Sequence, residues 1–328
     1  MPPKPHQHGG QLQAACERYQ IPLSDWIDLS TGISPFTYPL PTVPEHCWQR
    51  LPEANDGLET AAASYYGSPF LLPLSGSQEA IQRLPRLLPA GRRIGIIKPA
   101  YHSHQQAWQR AGHQVRTLSA HQVDQHIAQL DVLIVVNPTN PTAQRYTPDQ
   151  LMDWHQKLAR QAGWLIVDEA FIDATPENSL IQTKPVSGLI VLRSIGKFFG
   201  LAGIRLGFIW AEDKILQSMA QRQDDWSVSH PSRWAGTLAL QDTCWQAQQR
   251  QRLEPLSRRL ALLLEKSFQT TVRYSELFAY LRHKDAEDIH QQLAHQGILT
   301  RNFNDPPALR FGIPPDQQAW ERLEHALF

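Results

Sequence analysis

The chain has 328 residues, and its 31 lysines and arginines balance 31 aspartates and glutamates, giving a formal net charge of zero. That length allows a large core, as one big domain or two smaller ones, and the balanced charge gives no ground for a nucleic-acid or membrane-surface partner. No apolar run reaches bilayer-spanning length, and Met1-Pro2-Pro3-Lys4-Pro5-His6 lacks the apolar core of a signal peptide. Three widely spaced cysteines, Cys16, Cys47 and Cys244, fit a reducing cytoplasm, and their spacing matches no metal site. The histidine pairs His6/His8 and His102/His104 tempt toward metal, but the latter reads more simply as solvated or loop histidines.

In chain order, residues 1–40 are proline-rich and irregular, with a short helical pattern over 11–19. A helix is expected over 54–66. Ser75-Gly76-Ser77 then precedes Gln78-Glu79-Ala80-Ile81 as small capping residues before a helix that Pro85 should end or kink. Ile94–Ile97 reads as a strand and 101–111 as a helix. The alternation continues through a strand over 132–136, a helix over 148–162 and strands over 164–167 and 189–193. Such a βα rhythm argues for a mainly parallel sheet. Phe208–Trp210 adds one more strand. Beyond 230 a long helix over 232–266 is expected, bent near Pro255, followed by short strands and helices. The expected division is a large domain over 40–230 and a smaller one from 1–39 and 231–328.

Three apolar strands end in polar residues: Asn137-Pro138-Thr139-Asn140-Pro141 after Val132–Val136, Asp168-Glu169-Ala170-Phe171 after Trp164–Val167, and Ser194-Ile195-Gly196-Lys197 after Gly188–Leu192. The carboxyl ends of parallel strands are where α/β sheets bind ligands. A lysine among small residues can be partly desolvated and lose its proton, as covalent attachment to a carbonyl group requires. Arg205, eight residues on, offers a fixed cation for a phosphate. The backbone N–H groups of Gly76 and Ser77, at a helix start, offer a second phosphate contact. An acid, an amine, an amide and phosphate donors are the equipment for pyridoxal phosphate.

On these motifs the chain resembles the fold-type I, aspartate-aminotransferase-like superfamily, over nearly its whole length. Within it, His8-Gly9-Gly10, Asp168-Glu169-Ala170-Phe171-Ile172-Asp173, Val191-Leu192-Arg193-Ser194, Trp226-Ser227-Val228 and Ala239-Leu240-Gln241-Asp242 resemble the threonine-phosphate decarboxylases of cobalamin synthesis. The resemblance implies a three-layer α/β fold with Phe208–Trp210 antiparallel, the N-terminal segment joining the small domain, and a homodimer. It also implies roles. Lys197 bonds to the cofactor, Asp168 keeps the pyridine nitrogen protonated, and Asn137 donates to the ring oxygen. Tyr101 stacks on the ring, while Gly76, Ser77, Ser194 and Arg205 hold the phosphate. Arg310 grips the substrate carboxylate, and His8, Arg193 and Arg301 receive a second, substrate-borne phosphate. Departures are Phe171 and Leu51 where relatives carry tyrosines, Ala143 for a frequent glycine, and Gln11 for asparagine.

The function implied is decarboxylation of L-threonine O-3-phosphate to (R)-1-amino-2-propanol O-2-phosphate. A histidinol-phosphate-type aminotransferase needs the same residues, since nothing in the motifs says which bond to the α-carbon is cleaved. A non-enzymatic protein that keeps the cofactor fold is the third reading, although neither Lys197 nor Asp168 is missing.

Overall fold

A computed structural model describes residues 9–328. The described residues form two units, one of residues 37–250 and one of residues 9–36 with 251–328.

The larger unit is built on a seven-stranded sheet. Its order is Leu71–Leu74, Gly207–Trp210, Leu189–Ser194, Trp164–Asp168, Val132–Val136, Arg93–Ile97 and Gln114–Leu118. Gly207–Trp210 runs antiparallel to both neighbours, and the remaining pairs are parallel. The central strands are apolar on both faces because helices cover both. Ile134, Ile166, Ile190 and Leu192 pack on one side with Trp108 and Ile81. Val135, Val167, Leu189 and Val191 pack on the other with Trp154 and Leu158. Side-chain alternation along each strand makes the two layers. This sheet is the α/β architecture expected from the chain's rhythm.

Two elements differ from expectation. The helix over 232–266 is two helices, His230–Gln241 and Thr243–Phe268, and the second passes through Pro255. The break falls at Asp242, whose Oδ1 accepts the Trp245 N–H at 2.9 Å and so caps the second helix. The unit boundary also falls at 250, not 230. The reason is the helix His230–Gln241. Arg233 pairs with Asp56 and Glu59 of the larger unit, and a Cβ on Gly236 would press into Leu206 and Leu58.

The smaller unit has a four-stranded antiparallel sheet in the order Arg301–Asn304, Pro307–Gly312, Phe278–Arg282, Arg273–Ser275. A parallel pair joins Ile27–Asp28 to Ile298–Leu299, which ties the N-terminal segment into this unit. Among the described residues, no helix is long and apolar enough to cross a membrane.

Candidate active site

Three adjacent parallel strands carry the polar residues of the larger unit. Val136 is in register with Asp168, and Asp168 with Leu192. Asn137, Asp168 and the loop bearing Lys197 therefore leave the sheet at one edge.

Asp168 is 3% exposed. Its Oδ2 lies 2.8 Å from Nε2 of His104, and its Oδ1 accepts the Ala170 N–H at 3.1 Å. A carboxylate cannot donate, so the imidazole N–H points at it. His104 is buried in the first turn of the helix His102–Arg110. Sequence reasoning passed it over as a loop histidine. The available signal was its place three residues after Tyr101, at a helix start following a buried strand. An ionised carboxylate has roughly four acceptor positions, so Asp168 keeps capacity for a pyridinium N–H.

Lys197 is half-buried, with Nζ 5.6 Å from the centroid of Phe171. Phe171 thus gives the lysine an aromatic face that carries no hydroxyl. The loop is braced by Gln249, whose amide donates to the Phe198 carbonyl at 3.1 Å. Asn137 is clasped to Tyr146. Its Nδ2 donates to the Tyr146 carbonyl, and its Oδ1 accepts the Tyr146 N–H, both at 3.0 Å. This clasp uses one of the two amide N–H bonds and fixes the plane in which the other points. Ala143, in the same loop, has φ 54, the left-handed region that favours glycine.

The expected phosphate residues converge as well. Ser194 is paired with Gly207, and a Cβ on Gly207 would come within 2.6 Å of the Ser77 backbone nitrogen. A Cβ on Gly76 would come within 2.7 Å of a guanidinium nitrogen of Arg205. Gly207 therefore admits the Ser77 backbone nitrogen and Gly76 the Arg205 guanidinium, while the Gly76 N–H itself donates to the Leu74 carbonyl at 2.6 Å. Arg205 adopts φ 51, a conformation that costs a non-glycine residue about 1 kcal/mol or more. Tyr101 stands at the start of the neighbouring helix, its hydroxyl donating to Gln78 Oε1 at 3.3 Å. An amine, a buried carboxylate, an oriented amide and a guanidinium beside a helix start are groups of the kind pyridoxal phosphate needs.

In the smaller unit, Arg310 is buried on the central strand Pro307–Gly312, directly opposite Arg301. Directly opposed residues share a sheet face, and like charges there repel. Arg310 donates to the Ser30 carbonyl at 2.8 Å and lies over the Phe278 ring. Burial, with Arg301 adding to it, pulls its guanidinium down to about 9, against the opposing pull of Asp28. Two cations on one face, Arg310 buried and Arg301 half-buried, make a place that favours an anion. Ser30 also holds the N-terminal segment, since its Oγ accepts the Gly10 N–H at 2.7 Å. His8, two residues earlier, lies outside the described residues.

Arg193 is a correction. It was expected to receive a substrate phosphate, but its guanidinium is committed within the larger unit. Nη1 bonds Glu169 at 3.1 Å and Ser179 at 3.0 Å, Nη2 bonds Asp173, and the group lies over the Tyr66 ring. Burial opposes its charge, but Asp173, Tyr66 and Glu169 outweigh that and hold it above the ordinary value. Burial pushes the Glu169 carboxyl up, and Arg193, Ser179 and the Leu180 N–H offset this only in part. Arg193 is the buried counter-ion of two carboxylates, and Glu169, given no role in the sequence reading, is one of them.

The profile of the aminotransferase class I and II family matches residues 51–326. A threonine-phosphate decarboxylase of Pseudomonas aeruginosa is 50% identical over 321 residues, covering 98% of this chain and 97% of that one. Another, from Sinorhizobium sp, is 39% identical, covering 98% of each. The histidinol-phosphate aminotransferase of Sinorhizobium meliloti, solved in complex with pyridoxal-5'-phosphate, superposes with a TM-score of 0.82 at 20% identity, over 96% of this chain and 92% of that one; this is a likeness of fold. With a profile that spans most of its length and relatives this similar from end to end, the chain belongs to the aminotransferase class I and II family.

Proposed function

We propose that this protein is a pyridoxal-phosphate-dependent decarboxylase of L-threonine O-3-phosphate, forming (R)-1-amino-2-propanol O-2-phosphate for cobalamin biosynthesis. The observation that carries the reading is the 50% identity, nearly end to end, with a protein named threonine-phosphate decarboxylase. The buried Asp168–His104 pair near the strand end that leads to Lys197 supports it.

When bound, pyridoxal phosphate supplies an aldehyde for the substrate amine and a ring that accepts the electron pair left by departing carbon dioxide. Lys197 would hold the cofactor through its amine and would deliver a proton to the α-carbon where the carboxylate was. Asp168 holds a proton at the pyridine nitrogen, with His104 fixing the carboxylate. Asn137 donates to the ring oxygen, and Tyr101 covers the ring. Gly76, Ser77, Ser194 and Arg205 bind the cofactor phosphate. Arg310 would grip the substrate carboxylate and so fix the orientation of the substrate. Arg301 and His8 receive the substrate phosphate. The enzyme acts in the cytoplasm as a homodimer, to which the exposed Trp48 and Leu51 offer apolar surface.

The test is turnover of L-threonine O-3-phosphate by purified protein, with carbon dioxide and the phosphorylated amino alcohol both identified. Turnover of histidinol phosphate with 2-oxoglutarate, and none of threonine phosphate, would make the protein an aminotransferase instead.

A further inference from the structure

Away from Lys197, the short helix His46–Gln49 meets the first residue of the helix His230–Gln241. His46, Cys47 and His230 each offer one ligand atom there, all within 4.8 Å of one another. Nε2 of His46 is 3.6 Å from Sγ of Cys47, and the His46 and His230 rings meet edge to face at 5.5 Å. Zinc bonds of about 2.3 Å to sulfur and 2.1 Å to nitrogen, at a tetrahedral angle, set the two ligand atoms about 3.6 Å apart. The His46–Cys47 pair already has that bite.

His230 is held as a metal-binding imidazole is held. Its Nδ1 lies 3.3 Å from the Arg50 carbonyl oxygen. Since the carbonyl can only accept, Nδ1 carries the proton and Nε2 keeps the lone pair. Cys47 is buried while His46 is exposed and His230 intermediate, so a cation could enter from the histidine side.

We propose that His46, Cys47 and His230 form a site for one zinc-class divalent cation per chain, with water as fourth ligand. None of the three has a part in the proposed catalysis. Sequence spacing could not show the site, because His230 lies far along the chain from the other two. Burial, and then the Asp56 carboxylate, make the Cys47 thiol hold its proton more firmly than usual. A bound divalent cation reverses that local charge, so Cys47 binds as thiolate and its proton passes to solvent. The cation would also brace the cofactor seat. The segment just before His230 is tied to it through Ser227, whose carbonyl accepts the Ser75 hydroxyl.

The experiment uses chelator-stripped, cofactor-loaded protein titrated with Co²⁺ and then Zn²⁺. One equivalent of Co²⁺ should give ligand-field bands at the red end of the visible, of the strength tetrahedral thiolate sites show, and Zn²⁺ should displace it. Zn²⁺ should also raise the melting temperature. His46→Ala, at an exposed side chain that the fold does not need, should lose the bands and the zinc-dependent rise, as should His230→Ala. Cys47→Ser should weaken Zn²⁺ binding at least tenfold. Cys244→Ser, at an exposed thiol elsewhere, should change neither. Absence of saturable binding, bands that survive in His46→Ala, or bands lost in Cys244→Ser would overturn the proposal.

Discussion

Asp168 and Glu169 are consecutive, both buried, and at the end of the same strand, yet the fold treats their charges differently. Glu169 points to Arg193 and is bonded by Ser179 and the Leu180 N–H. Its partners come from the protein, and the pair leaves little for a ligand. Among the described residues Asp168 pairs only with a histidine and a backbone N–H. A buried carboxylate that the protein leaves without an arginine or lysine awaits a cation from elsewhere, and a protonated pyridine supplies one. The difference separates charge spent on the fold from charge kept for chemistry.

The largest expected effect tests that separation directly. Lys197→Ala should abolish turnover and covalent cofactor attachment, and Asp168→Asn should lower turnover by orders of magnitude, since an amide cannot hold the ring proton. Both variants should melt near the unmodified temperature. Glu169→Gln should do the reverse, keeping turnover per folded chain while lowering stability. Turnover and melting temperature measured on all three check this, and near-normal catalysis by Asp168→Asn would dissolve the distinction.

Arg193→Ala is the complementary break. It strands two buried carboxylates, and removing one partner of such a set costs about 3–5 kcal/mol. Denaturant unfolding should show that loss, while the Michaelis constant of the folded fraction holds. A variant of normal stability that binds threonine phosphate poorly would return Arg193 to the ligand.

Arg310 is a buried arginine of the opposite kind, set beside another arginine instead of between carboxylates. Leaving a buried charge partner unpaired costs about 2–5 kcal/mol, so Arg310→Ala should lower kcat/KM for threonine phosphate by that amount and leave cofactor affinity alone. Arg310→Lys should restore only part, lacking the planar fork. Equal, small losses in both would place the substrate carboxylate elsewhere.

His104 sharpens the comparison on the catalytic side. A hydrogen bond to a charged group is worth about 1.5–3 kcal/mol, so His104→Leu should slow turnover roughly ten- to hundred-fold. His104→Gln, which keeps a donor, should recover part of it. A merely space-filling histidine would give the same rate in both variants.

These contrasts also mark what the sequence can carry. The central strands were legible because Val132–Val136 and Leu189–Leu192 are continuous apolar runs, as burial on both faces demands. The edge strands Leu71–Leu74 and Gln114–Leu118 were not, since one holds Pro73 and the other is mostly exposed. Asn137, Asp168 and Lys197 were legible because each follows such a run. Arg193 was misread because an arginine inside an apolar strand announces a buried anion without saying whose. Its partners come from the next strand's end, and only the register names them. His104 was missed for the same reason, lying 64 positions before Asp168.

A third charged cluster, less buried, gives the smallest effect. Arg233 holds Asp56 through Nε at 2.6 Å and Nη2 at 2.8 Å, with Glu59 at 2.8 Å. Burial would raise the Asp56 carboxyl, but the hydrogen bonds from Arg233 and the Leu58 N–H outweigh it, and the result lies below the usual carboxylate value. A carboxyl depressed in the folded state adds stability that is fully present above its unfolded pKa, near 4, and fades as pH falls through the folded one. Asp56→Asn should therefore cost about 1 kcal/mol at neutral pH, little because Glu59 still faces water. The gap in melting temperature between the variant and the unmodified protein should close as pH drops below about 4. For Arg193 no such closure is expected over that range, because Glu169 is pushed the other way. Melting curves of the Asp56→Asn and Glu169→Gln variants across acid pH compare the two clusters, and a gap for Asp56→Asn that stays constant would remove the ionic account of this pair.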